Sequence, residues 1–253
     1  MIKVFIGYDE RESAAYHTCV DSIIRTCSQP LQITPLHLYN LEDFYHENHE
    51  DGSNAFSYTR FLVPYLCGYD GWAIFLDGDM VVREDLAGLM KHALPDKAVS
   101  VVKHDYETKA EKKYLGAKNE SYPCKNWSSV MLWNCGHFQN RKLFPSRISS
   151  VPGSYLHRFQ WLDECQVGAL PVTWNWLESE YEENDLAKII HYTLGTPCWS
   201  EYAETPMAGE WHKAYYNMAS AQGAEPYDIS ARAAQEHESC LDLEQTSRTY
   251  LGQ

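Results

Sequence analysis

The chain is poor in positive charge and lacks long hydrophobic runs, paired cysteine motifs, internal repeats and low-complexity linkers. Its 21 Lys and Arg stand against 35 Asp and Glu, a formal net charge of -14. Such a surface repels phosphate backbones and anionic lipid heads, so nucleic acid and membrane surfaces are excluded as default partners. No apolar stretch approaches the roughly 18 residues needed to span a bilayer, and Met1-Ile2-Lys3-Val4-Phe5-Ile6-Gly7 reads as a short strand rather than a signal peptide. Neither secretion nor membrane insertion is expected. The eight cysteines (Cys19, Cys27, Cys67, Cys124, Cys135, Cys165, Cys198 and Cys240) include no C-x-x-C pair. They read as reduced, mostly buried thiols of a cytoplasmic protein, which sets aside a zinc site and a disulfide framework.

At 253 residues, with 44% apolar and 22% charged residues, the chain has the composition of an ordinary globular protein. Aromatic residues reach 13%, with 18 Tyr and 8 Trp. Most of these rings must fill the core, but amphipathic rings also suit flat or sugar-like ligands. An acidic protein that handles an anionic ligand must neutralise charge locally, by a bound cation or a few placed Arg and Lys.

The first half alternates strand and helix patterns. Val4 to Gly7 reads as a buried strand, and Glu12 to Cys27 as a helix with Ala14, Ala15, Cys19, Ser22 and Ile23 inward. Leu31 to Leu38 is a second strand. Ser57 to Cys67 starts helically, with Pro64 disturbing its later turns. Trp72 to Leu76 is an apolar run ending in Asp77-Gly78-Asp79, followed by Met80-Val81-Val82 and a helix from near Glu84. Ala98 to Lys103 is another buried strand. The succession predicts an α/β fold with a mostly parallel central sheet flanked by helices. Further on, Ser128 to Trp133 and Lys188 to Tyr192 read as strands, and Ser154 to Gln166 and Glu210 to Ala221 as helices. One domain over residues 1–253 is the economical reading. Residues 1–125 would form a nucleotide and metal half, 126–225 a sugar and acceptor half, and 226–253 a polar tail.

Asp77 and Asp79 lie two apart at the end of an apolar strand, so their carboxylates can aim at one point. Open α/β sheets bind ligands beyond the carboxyl ends of their strands. Gly78 leaves room for close approach to the backbone. Hard oxygen ligands suit Mg²⁺ or Mn²⁺, with phosphate oxygens completing the shell. In an Asp-rich chain a D-x-D also arises by chance, and both residues could merely end a strand. A second chemistry fits locally: Phe75 to Val81 resembles the D-x-D-x-T/V signature of haloacid-dehalogenase-type phosphatases. Those enzymes need later acidic metal ligands, and no G-D-x-x-x-D or D-D pair follows here.

Four ordered segments carry a more specific resemblance. They are Val4-Phe5-Ile6-Gly7-Tyr8-Asp9; Phe56-Ser57-Tyr58-Thr59-Arg60-Phe61 with Ala73 to Asp79 and Asp85-Leu86; Lys125 to Asn134; and His191-Tyr192-Thr193-Leu194-Gly195-Thr196-Pro197-Cys198-Trp199. Together, over residues 1–200, they resemble family 8-type glycosyltransferases of the GT-A fold, in a divergent bacterial-type branch. The resemblance implies a metal-dependent hexosyltransferase, using a UDP-sugar donor and a glycan or other hydroxyl acceptor, with retention of anomeric configuration.

It further implies roles for individual residues. Asp77, Asp79 and His191 would hold Mn²⁺ or Mg²⁺. The strand end Ile6-Gly7-Tyr8-Asp9 would receive uracil and ribose, with Tyr8 stacking and Asp9 bonding ring or ribose. Arg60 would meet a sugar hydroxyl, the diphosphate or Asp77, its blander role being an ion pair. Ser128-Ser129 and Gly195 would lie beside sugar and diphosphate, and Asp163-Glu164 would face the anomeric carbon. The alternative for Asp163 is an exposed helix position. Lys103-His104-Asp105 may face the sugar as well, and Trp174-Asn175-Trp176 could build the acceptor side. His17, His137 and His157 read as structural. Two departures stand out. Ser128-Ser129 replaces a small-Gly pair, and the last motif lacks its Lys, leaving Arg60, Lys103 or Lys125 to neutralise the diphosphate. A non-catalytic nucleotide-sugar binding module remains a third reading, kept open by that missing Lys. Oligomeric state is not readable.

Overall fold

A computed structural model describes residues 1–50, 52, 54–113, 116 and 118–220. The chain divides into a unit over Met1–Tyr215 and a second over Tyr216–Gln253, and the account below concerns the first. The predicted polar tail and Cys240 lie outside the described residues.

Strand β1 (Ile2–Gly7) leads into α1 (Ser13–Thr26) and returns through β2 (Leu31–Leu36). A 3-10 turn at Thr59–Leu62 runs into α2 (Val63–Leu66), where Pro64 is tolerated because it falls within the first turn. Then come β3 (Trp72–Leu76), β4 (Met80–Val82), α3 (Leu86–Met90), β5 (Val99–Val101) and β6 (Val130–Asn134). The second half adds α4 (Pro145–Ile148), α5 (Gly153–His157), β7 (Val167–Ala169), β8 (Trp176–Leu177), β9 (Ile189–His191) and α6 (Ala208–Ala219).

The main sheet has the order β2-β1-β3-β6-β5-β7. Pairings β1–β2, β1–β3 and β5–β7 are parallel, and β6 alone runs against its neighbours β3 and β5. The expected mostly parallel sheet is therefore present. Its apolar strands are covered on both faces. Ala73 and Phe75 of β3 join one core with Phe61, Trp133 and Trp161. Ile74 and Leu76 join the other with Val4, Cys19, Ile23 and Trp174. Burial on both sides explains why these strands read as continuous hydrophobic runs. Along α1, Ala15, Cys19, Ser22 and Ile23 are buried as expected, while Ala14 is only half-buried.

A second, three-stranded sheet has the order β4-β9-β8. It pairs Met80 with His191 and lets the Tyr192 amide donate to the Asp79 carbonyl at 3.1 Å. This register carries a residue from the far end of the unit to the Asp77-Gly78-Asp79 turn.

The helix expected over Ser154 to Gln166 is interrupted. It ends at His157, Phe159 takes φ +53, and a 3-10 turn follows at Glu164–Gln166. Phe159 and Trp161 are both buried in one core. Residues two apart on an α-helix point about 200° apart, so the chain must leave the helix for both rings to enter. No helix among the described residues is long and apolar enough to cross a membrane.

Candidate functional site

The turn from β3 to β4 puts Asp77 and Asp79 beyond the carboxyl end of the central strand, where the Asp77 amide bonds the Ser129 carbonyl at 3.0 Å. Close approach explains the intervening glycine: a Cβ on Gly78 would stand 2.6 Å from the Gly7 carbonyl oxygen. The β4–β9 register then brings His191 Nε2 to 3.3 Å from Asp79 Oδ1 and 3.9 Å from Asp77 Oδ2. One ligand atom from each of the three lies within 4.8 Å of the others, a spacing that could hold a metal ion.

Each member is held by its surroundings. Asp77 Oδ1 is 2.8 Å from Arg60 Nη1. That guanidinium also donates to the Ser128 carbonyl at 2.9 Å and the Phe56 carbonyl at 3.2 Å, and lies over the Phe56 and Phe75 rings. The ion pair between Arg60 and Asp77, one of the roles expected, is formed. It is buried rather than exposed, so breaking it would strand a charge. His191 Nδ1 donates to Asn175 Oδ1 at 3.0 Å, which leaves Nε2 turned toward the carboxylates. Asn175 Nδ2 in turn donates to Ser129 Oγ at 2.8 Å and the Asn126 carbonyl at 3.1 Å.

Burial pushes the Asp77 carboxyl up to about 6, against the pull of Arg60 and reinforced by the Asp79 charge. Burial acts the same way on Asp79, but the His191 imidazole outweighs it and holds that carboxyl below its usual range. Burial works against the His191 cation, yet Asp79 and then Asp77 raise its affinity for a proton. Asp77 Oδ1 and Asp79 Oδ1 are buried and, apart from the Arg60 and His191 contacts, have no hydrogen-bond donor. Buried carboxylate oxygens left in this state, beside an imidazole whose other nitrogen is pinned, form a donor set that could hold a divalent cation.

The cluster opens on a cavity of ≈ 280 Å³. Lys113 and Tyr122 reach it from the segment after β5, and Asn126, Ser128 and Ser129 from the approach to β6. Gly153, Ser154, His157 and Arg158 of α5 and its end line it too. Ser128 Oγ is 2.9 Å from His157 Nδ1. His157 is therefore part of the cavity wall, not a purely structural residue, and burial lowers its affinity for a proton to about 3. Sequence reading missed it because its neighbours Ser128, Tyr58 and Phe61 are remote in the chain. Lys113 was missed as a site residue for the same reason, and Asn175, expected on the acceptor side, stands instead behind His191.

Other expected site residues do not line this cavity. None of Ile6, Gly7, Tyr8 and Asp9 lines the cavity. Tyr8 packs edge-on against Tyr16 and His37, with ring centroids 5.0 Å apart in each pair. Asp9 is buried, takes the Arg11 guanidinium and the Arg11 and Ala55 amides, and caps the turn before α1. Lys103 stands over the Trp127 ring at 5.6 Å. Gly195 donates to the Tyr192 carbonyl at 3.2 Å, and its neighbour Thr193 lines the cavity instead. Asp163 and Glu164 are exposed, and Asp163 forms a capping box with Gln166, so the structure does not bring this pair to the cavity. Trp174 is a core residue at 0% exposure, and Asn175 beside it turns inward to His191.

No protein-family model matches the sequence. Among solved structures, the glycosyltransferase GlyE of Streptococcus pneumoniae TIGR4 superposes with TM-score 0.58 at 15% identity, over 85% of this chain and 61% of that one. The bifunctional glycosyltransferase WbbM superposes with TM-score 0.56 at 15% identity, over 85% of this chain and 50% of that one. The chain thus spans half to three-fifths of those two proteins. The galactosyltransferase LgtC, in complex with donor and acceptor sugar analogues, superposes with TM-score 0.52 at 12% identity, over 87% of this chain and 97% of that one. The fold is therefore the GT-A fold of glycosyltransferases. In sequence, the chain is 38% identical over 217 residues to Protein CDI of Arabidopsis thaliana, covering 83% of this chain and 84% of that protein. Identity at that level across most of both chains shows the family, and the chain belongs to the family of Protein CDI.

Proposed function

We propose that the protein is a metal-dependent glycosyltransferase that moves a hexose from a UDP-sugar to a hydroxyl acceptor such as a glycan, with retention of anomeric configuration. One observation carries the reading: the buried Asp77, Asp79 and His191 cluster, whose carboxylate oxygens have few donors beyond Arg60 and His191, at the edge of a polar cavity beyond the strand ends. A divalent cation held there, Mn²⁺ or Mg²⁺, would stabilise the negative charge that develops on the leaving diphosphate.

The chain's own residues prepare the site. Asn175 fixes the imidazole so that Nε2 points to the cluster. Arg60 neutralises Asp77 and pins the Ser128 carbonyl, holding one wall of the cavity to the turn. Ser57, Asn126, Ser128 and Ser154 supply polar edges suited to sugar hydroxyls. In the transfer, the acceptor oxygen bonds the anomeric carbon while the bond from that carbon to the diphosphate oxygen breaks. The departing oxygen keeps the electron pair and takes the acceptor's proton, so no strong side-chain base is required. The seven cysteines among the described residues are free, which supports a reducing, cytoplasmic setting.

Mn²⁺ with UDP should raise the melting temperature of the wild-type chain, and Asp79→Ala should abolish the rise; an unchanged rise in the variant sinks the metal assignment. UDP release from a panel of UDP-sugars tests turnover. Phosphate release from sugar phosphates without nucleotide would point instead to phosphatase chemistry.

A further inference from the structure

The segment between β5 and β6 sends one cation into the cavity. Lys113 lines it together with Asp77, Asp79 and His191. Among the described residues its ammonium has no hydrogen bond and no ion pair. Burial lowers its affinity for a proton, and the charges of Asp79 and Asp77 act in the opposite direction. A partly buried ammonium without a bonded partner favours an anion that brings its own oxygens.

Three other cations near the site are committed elsewhere. Arg60 is held by Asp77 and two backbone carbonyls. Lys103 sits on the Trp127 ring. Lys125 donates to Asn119 Oδ1 and to the Glu120 carbonyl, both at 2.6 Å. Arg158 also lines the cavity, from the end of α5, and its charge acts on the Cys124 thiol.

We propose that Lys113 meets the diphosphate of the bound nucleotide beside the Asp77, Asp79 and His191 cluster, an inference that rests on the nucleotide-sugar reading above. A lysine is suited to this work, since a flexible point charge can follow a phosphate group as its charge rises. In a chain of net charge -14, such a charge has to come from a placed side chain. Placement on the β5–β6 segment replaces a cation that the His191 to Trp199 motif does not supply. Lys113 also has an opposite effect on the metal alone, because its positive charge opposes a second cation at the cluster when no nucleotide is present.

That difference in sign gives the test. Titration calorimetry on the full chain would measure Mn²⁺ alone, then UDP at saturating Mn²⁺, for wild type, Lys113→Ala and Lys113→Arg. Lys113→Ala should weaken UDP by about tenfold or more, bind Mn²⁺ alone at least as tightly as wild type, and keep the wild-type melting temperature. Lys113→Arg should recover most of the UDP affinity. Equal UDP affinity in wild type and Lys113→Ala overturns the inference and leaves the nucleotide-sugar reading intact. Loss of Mn²⁺ and UDP binding together with a lowered melting temperature would assign Lys113 a structural role and overturn it too. If the wild-type chain fails to bind UDP with Mn²⁺, the nucleotide-sugar reading falls first and the inference with it.

Discussion

Asn175 is uncharged and wholly buried, yet it touches three parts of the site. Its carbonyl fixes the tautomer of His191, and its amide ties Ser129 and the Asn126 backbone to the same point. Partners of this kind are worth about 10- to 100-fold in metal affinity. Asn175→Ala should therefore weaken Mn²⁺ binding by that order, read by titration of the folded variant; an unchanged affinity would show that His191 is positioned by the β4–β9 ladder alone. At this scale the sequence was half legible. Asp77, Asp79 and His191 could be singled out because a short motif and a family resemblance pointed at them. Asn175, Lys113 and His157 act through neighbours distant in the chain, which no local spacing encodes. Asp163 and Glu164 illustrate the converse: the family resemblance suggested a sugar-binding pair, and in the structure Asp163 forms a capping box with Gln166.

Among elements, the β3–β4 turn is the one whose geometry leaves least freedom. Gly78 passes so close to the end of β1 that an added Cβ would overlap the Gly7 carbonyl oxygen at 2.6 Å. Backbone oxygen cannot swing aside as a side chain can. Gly78→Ala should cost about 1–3 kcal/mol of stability, as other overpacked sites do, and should weaken Mn²⁺ binding by displacing both carboxylates. Urea unfolding measures the first effect; a variant as stable as wild type would show that the turn can shift as a unit. Strand β3 was legible to the residue, because burial on both faces turns a strand into an unbroken apolar run. The stretch after α5 was not. Phe159 and Trp161 follow the demands of a core shared with Phe61 and Trp133, and those partners override the local helical pattern.

At the scale of the whole molecule, buried His104 and half-buried His157 make stability depend on pH. Burial lowers His104, on which the His191 charge also acts, and His157, on which Arg60 and His49 also act, each to about 3. In the unfolded chain they titrate near the ordinary value of about 6.5, so the unfolded state binds more protons between these limits. Their contribution is fully present above pH 6.5 and is lost as pH falls. Linkage gives about 2 kcal/mol per histidine between pH 7 and pH 5. Urea unfolding at both pH values should show this loss, and His157→Gln should remove about half of it; an unchanged pH dependence would mean that His157 is accessible to protons in the folded state. The global fold was legible as an α/β sheet because alternation and apolar runs are local signals. In the small sheet β4-β9-β8, strand β9 was legible within Lys188 to Tyr192, but its pairing with β4 and β8 was not, since pairing across distant sequence has no local signature.

That small sheet has a topological consequence. Asp79 and His191 are brought side by side by the pairing of β4 with β9, and nearly half of the chain is threaded between them. A cation gripped by both ends closes that stretch into a ring, as a covalent staple would, and denies the unfolded chain many of its conformations. A cation that bound the folded ring and not the open chain would set, by its concentration, how often the ring opens. An ion recruited for chemistry would then double as a fastener, and starvation for metal would expose the protein to degradation as well as silence it.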